Sequence, residues 1–147
     1  MIYGDIKQIG IIRTPYKTKK EIPCQGYKTN TRGVIKVFEE YTAALKDIEG
    51  FSHIWILYKF HKAERFVPLV MPFLDDKKHG LFATRYYNRP NPIGISLVKL
   101  VKRKGNVLFI EEADFLDRTP LLDIKPYVPK FDTRKNVKIG WLEGKID

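Results

Sequence analysis

The chain has 147 residues, 44% hydrophobic and 13% aromatic, enough to bury a core without disulfide or metal staples. Lysine and arginine number 27 against 17 acidic residues, and the net charge of +10 points to a polyanionic partner, most often nucleic acid. A single cysteine, Cys24, excludes an internal disulfide, and with only three histidines no zinc-type spacing exists, so no metal is expected.

The first candidate strand runs from Tyr3 to Ile12, with β-branched residues at Ile6, Ile9, Ile11 and Ile12. Asp5 and Lys7 sit where a secretory signal needs an apolar core, and no apolar run is long enough to span a membrane. The reading is therefore a cytoplasmic protein without membrane contact. Lys17, Lys19 and Lys20 form a basic cluster. Gly33 to Phe38 is a second strand, and Glu39 to Ile48 a short helix, with Tyr41, Leu45 and Ile48 at helical spacing and Gly50 as its stop.

Ser52 to Phe60 is the strongest strand signal. Ile54, Ile56, Tyr58 and Phe60 share one face, and Trp55 and Leu57 the other, which predicts a central strand buried on both sides. Pro90 and Pro92 fix φ at about −65° and hold Arg89 and Asn91 extended. That predicts a rigid loop presenting Arg85, Arg89 and Asn91. Ile93 to Arg103 and Asn106 to Glu111 flank a hairpin turn at Lys104-Gly105, with a second basic cluster at Lys99, Lys102, Arg103 and Lys104. Leu121 to Lys125 and Val137 to Trp141 complete the strands. Short strands with turn signals between them predict an all-β fold, barrel or sandwich, with one or two short helices. No composition shift marks a linker, so residues 1–147 read as one domain.

Several familiar chemistries are absent. The ten glycines never stand two residues apart, which removes the dinucleotide fingerprint and the usual glycine-rich methyltransferase loop. No Gly-x-Ser-x-Gly occurs, and the neighbours Ser52 and His53 point to opposite faces of a strand. A serine hydrolase is a poor reading.

Three segments carry more specification than folding needs: Phe51 to Leu57 with Phe60-His61; Phe82 to Arg85 with Arg89-Pro90-Asn91-Pro92-Ile93-Gly94; and Leu116-Asp117-Arg118-Thr119-Pro120 running on to Asp123-Ile124-Lys125-Pro126-Tyr127. In order and spacing they resemble the TsaA/TrmO family of tRNA methyltransferases. The string from Ile9 to Lys17 resembles the family's opening strand and turn, and Ile22 to Gly26 its first cofactor loop. The resemblance implies a small single β-barrel, here of about seven strands, and a homodimer. It also implies transfer of a methyl group from S-adenosyl-L-methionine to N6 of threonylcarbamoyladenosine beside the tRNA anticodon. It transfers cofactor contacts to Gln25, Gly26, Tyr27, His61, Lys62, Arg85, Ile95, Leu116, Asp117, Arg118 and Thr119. Asp117 is the first candidate for the base that assists the acceptor nitrogen, and His61 the second. Lys17, Lys19, Lys20, Arg89 and Asn91 are the RNA-contact candidates.

The sequence departs from the family pattern at named places. Arg118 replaces the glycine of Asp-Gly-Thr-Pro, Lys62 a common glutamine, Cys24 a usual arginine, and Tyr86-Tyr87-Asn88 a common Ser-Pro. Two rival readings therefore stand beside the enzyme: a non-catalytic RNA-binding barrel, and a methyltransferase for another substrate.

Overall fold

The alternation of inward and outward side chains decides where this chain makes strands. The structure, a computed structural model, describes residues 4–23 and 29–146. Gln25, Gly26 and Tyr27 of the expected cofactor loop, and Cys24, lie outside the described residues. The strands are β1 (Gly10–Arg13), β2 (Gly33–Val37), β3 (His53–Lys59), β4 (Leu69–Val70), β5 (His79–Gly80), β6 (Ile93–Lys104), β7 (Val107–Glu111) and β8 (Thr119–Pro126).

Six of these strands close into an antiparallel barrel in the order β1-β2-β7-β6-β3-β8, while β4 and β5 pair as a separate two-stranded ribbon. The shut barrel leaves no strand edge in its ladder to recruit a neighbour. Inward residues fill it: Ile12, Ile35, Ile54, Ile56, Leu108 and Leu121 are all fully buried. The seam between β1 and β8 pairs Gly10 with Leu121 and Ile12 with Thr119, joining the two ends of the fold.

Tyr58 packs edge-on against Phe60 and Phe115 inside the barrel. Gly94 faces it across the β3–β6 ladder, and a Cβ added at Gly94 would lie 2.3 Å from the Tyr58 ring. The hairpin between β6 and β7 turns through Gly105 and Asn106, one residue later than the Lys104-Gly105 expectation. Gly105 has φ +60°, the left-handed geometry that a tight two-residue hairpin asks of its first loop residue.

Other expectations are corrected. Residues 4–9 lie outside β1, and Ile6 is largely exposed. β3 is buried on its inner face only; Trp55 and Leu57 are half-buried outside, with Trp55 edge-on to Tyr127. The expected helix is a 3₁₀ segment, Glu39–Leu45, followed by a second 3₁₀ turn, Ile48–Gly50. Asp47, at φ +72°, breaks the run between them, and Leu45 is the residue the segment buries. Val137 to Trp141 forms no strand. Gly140–Leu142 is a 3₁₀ turn whose Trp141 stacks on His79 at 4.6 Å and donates its indole N–H to the Ala83 carbonyl at 2.8 Å. No helix among the described residues is long and apolar enough to cross a membrane.

Candidate functional site

The barrel seam brings together residues far apart in sequence. Thr119 donates its backbone N–H (3.3 Å) and its hydroxyl (2.6 Å) to the Leu116 carbonyl, closing a turn with Asp117 and Arg118 at its centre. Arg118 has φ +66°, as the third residue of a type II turn requires. Glycine takes this geometry without cost, and the arginine here keeps it while its side chain stays exposed.

The turn is sewn to the loop that follows β1. Thr14 donates its hydroxyl to the Phe115 carbonyl at 2.6 Å, and the Asp117 N–H bonds the Tyr16 carbonyl at 2.8 Å. Asp117 Oδ1 accepts from Arg13 Nε at 2.8 Å and from the Thr14 N–H at 3.1 Å, and Oδ2 accepts from Lys17 Nζ at 2.9 Å. The carboxyl group is nearly buried, its side chain 8% exposed. Burial alone would raise its pKa, but Lys17, Arg13 and the Thr14 N–H outweigh that and hold it well below the usual carboxylate range.

A third loop completes the site. His61 and Lys62 form the turn after β3. This turn is held by Phe60, whose N–H bonds the Pro92 carbonyl at 2.7 Å, and by Glu64, whose N–H bonds Asn88 Oδ1 at 2.6 Å. Lys19 ties it to the first loop, donating to the Lys62 carbonyl at 2.9 Å while lying 4.2 Å from the Tyr87 ring centre. Arg13, Lys17, His61, Lys62, Asp117 and Arg118 line an open cleft of about 390 Å³. The His61 pKa is lowered, first by burial and then by the Lys62 and Lys59 charges, against a smaller opposing pull from Asp117. The shift favours the neutral imidazole.

The other candidates are dispersed. Arg89 folds back, aiming Nη1 at the carbonyls of Leu81 (3.5 Å), Thr84 (3.1 Å) and Tyr86 (2.9 Å). Asn91 and Lys20 are exposed, and Ile95 projects from the outer face of β6, 43% exposed. Arg85 is exposed beside a buried polar group at the barrel end, where the Tyr58 hydroxyl meets Ser96 Oγ at 3.2 Å and Asp114 lies close by. Burial raises the pKa of Asp114, partly offset by the Ser96 hydroxyl and the Arg85 charge. Its buried Oδ1 has no hydrogen-bond partner among the described residues. Asp123 and Lys125 sit within β8 as an ion pair at 3.0 Å.

Two features escape sequence reasoning. Arg13 binds Asp117 across 104 positions, and only barrel closure makes the pair. Asp114 carries no motif, though an acid set between the buried Ala113 and Phe115 is a signal of its own.

Comparisons with known proteins agree on one family. The tRNA-methyltransferase O N-terminal domain matches residues 11–133. A probable S-adenosyl-L-methionine-binding protein of Pyrococcus abyssi is 55% identical over 95% of this chain and 77% of its own. The Escherichia coli tRNA (adenine(37)-N6)-methyltransferase is 41% identical over 84% of this chain, which spans 57% of that enzyme. The crystal structure of TrmO from Pseudomonas aeruginosa superposes with a TM-score of 0.81 at 34% identity, covering 95% of this chain and 63% of that one.

Proposed function

Because the chain belongs to the tRNA-methyltransferase O N-terminal domain family, we propose that it is an S-adenosyl-L-methionine-dependent tRNA methyltransferase. Its acceptor is N6 of the adenosine beside the anticodon, in its threonylcarbamoylated form. It works in the cytoplasm as a homodimer. The observation that carries the reading is the cleft where the opening strand and turn, the loop after β3 and the Leu116–Thr119 turn meet, with Asp117 anchored at its centre.

The residues suit the cofactor's chemistry. S-Adenosyl-L-methionine supplies an electrophilic methyl group, together with a carboxylate and an adenine to be held. Arg85 takes the carboxylate, and the Leu116–Thr119 turn offers backbone groups to the adenine edge. Ile95, and Gln25 to Tyr27, remain cofactor contacts by resemblance. Asp117 serves as an anion that orients Arg13 and Lys17. A carboxylate stabilised this far is a weak base, so His61 takes the proton from the acceptor nitrogen. Lys20 and Asn91 meet RNA at the rim; Lys17, Lys19 and Arg89 are engaged within the protein.

The test uses tRNA from a strain lacking this activity, incubated with the protein and S-adenosyl-L-methionine. Digestion and mass analysis should show the threonylcarbamoyladenosine nucleoside heavier by one methyl. Calorimetric binding of the cofactor without any methylated nucleoside would favour a different acceptor. No cofactor binding at all would leave the non-catalytic RNA-binding barrel.

A further inference from the structure

The outer face of the barrel carries a pattern that the cleft does not use. Cross-strand pairing sets Arg13 of β1 beside Val34 of β2, Val34 beside Phe109 of β7, and Phe109 beside Lys102 of β6. These four form one transverse row: cation, aliphatic, aromatic, cation. With neighbouring strands about 4.8 Å apart, the row is about 14 Å long. A parallel row runs Ile11, Lys36, Val107, Lys104, and Arg32 flanks the first. The first row floors an open groove of about 600 Å³, to which Arg32 and Val101 also contribute, and this groove shares Arg13, Lys17 and Asp117 with the cleft.

We propose that this outer face of β1, β2, β7 and β6 is the track on which single-stranded tRNA lies as it enters the cleft. The inference rests on the tRNA reading above and adds the surface that serves it. Lys102 Nζ sits over the Phe109 ring, 4.9 Å from its centre, so a base that stacks there displaces the ammonium towards its own phosphate. Bases stack on aromatic platforms while cations hold the backbone, which is how sheet surfaces read unpaired RNA. A second copy of this +10 chain is a poor occupant, because it would set cation rows against like charge. The groove meets the cleft at the Arg13–Asp117–Lys17 knot, so a strand on the track delivers its next base to the site.

The test is salt-dependent binding of a transcribed tRNA anticodon stem-loop to the full chain, compared with Arg32→Ala/Lys102→Ala/Lys104→Ala and with Phe109→Leu. Removing a cation that neutralises one phosphate should flatten the log–log salt slope by about 0.7, so the slope of the triple variant should be shallower by about 2. Phe109→Leu should weaken binding about tenfold, as expected when one base loses its stacking platform, and leave the slope unchanged. Melting temperatures near the parent's show that the variants fold. If the triple variant unfolds, Lys102→Gln and Lys104→Gln, each flattening the slope by about 0.7, give the same test singly. A steep parent slope that none of the variants alters overturns the track and leaves the methyltransferase standing. A parent whose tRNA binding ignores salt overturns both.

Discussion

Replacing Asp117 by asparagine keeps its shape and removes its charge. Three donors converge on the carboxylate: Arg13 Nε, Lys17 Nζ and the Thr14 N–H. In the variant the Thr14 N–H keeps its acceptor, but the amide N–H₂ is set against a cation, donor facing donor. Charge-assisted hydrogen bonds contribute about 1.5–3 kcal/mol each when shielded. Arg13 and Lys17 are 53% and 64% exposed, so solvent discounts their two bonds towards the 0.2–1 kcal/mol typical of surface pairs. The expected loss is about 1 kcal/mol, which for this chain length lowers Tm by about 2–4 °C. The pH dependence has a definite sign. A carboxyl group with a depressed folded pKa adds stability above its unfolded value of about 4 and loses it as pH falls further. The difference between parent and variant should therefore hold from pH 8 to about pH 5 and shrink steadily from about pH 4 to pH 2. Thermal melts of both proteins across that range make the measurement. A gap below about 0.5 kcal/mol at pH 7, or one unchanged at pH 2, would refute the account of the carboxylate as an anchored ion.

Three further outcomes follow from the same geometry. Arg118→Gly should stabilise the protein by about 0.5–1 kcal/mol, read as a rise in Tm, because an arginine at φ +66° carries strain that glycine lacks. Gly94→Ala should cost about 2–3 kcal/mol in urea unfolding, since the new methyl would stand 2.3 Å from a Tyr58 ring wedged between Phe60 and Phe115. Arg85→Ala should weaken S-adenosyl-L-methionine binding by about 1.5–3 kcal/mol in calorimetry, with Tm unchanged because the side chain is exposed and makes no structural bond among the described residues.

The strands were readable in the sequence where one face is buried against the barrel. Ile54, Ile56 and Tyr58 alternate inward in β3, and Ile35 and Val37 in β2, so the period of two is visible. Val137, Ile139 and Trp141 show the same spacing without a strand, because Gly140 at φ +59° turns the chain and Trp141 is engaged by His79. The helical spacing of Tyr41, Leu45 and Ile48 was real, but a short segment with no side-chain cap settles into 3₁₀ turns on the barrel end. In the site, His61, Lys62, Asp117 and Arg118 line one cleft. Arg89 does not present itself, because the prolines fix the backbone and say nothing of where a long side chain turns. Arg13 could not be found by local pattern, since its partner lies at the other end of the ladder.

The seam between β1 and β8 has a consequence for when the site exists. Arg13 and Asp117 meet only when the last barrel strand pairs with the first, and the turn that carries Asp117 immediately precedes that strand. Contacts between such distant segments are the slowest to form, because the intervening loop must be ordered before anything rewards it. The cleft is thus among the last parts of the molecule to take shape, and a chain whose barrel is still open has neither the Asp117 anchor nor the turn's alignment with Thr14 and Tyr16. Cofactor affinity should rise together with closure of the seam during refolding. A nicked or truncated chain that has lost either strand would be inert towards tRNA, not sluggish on it.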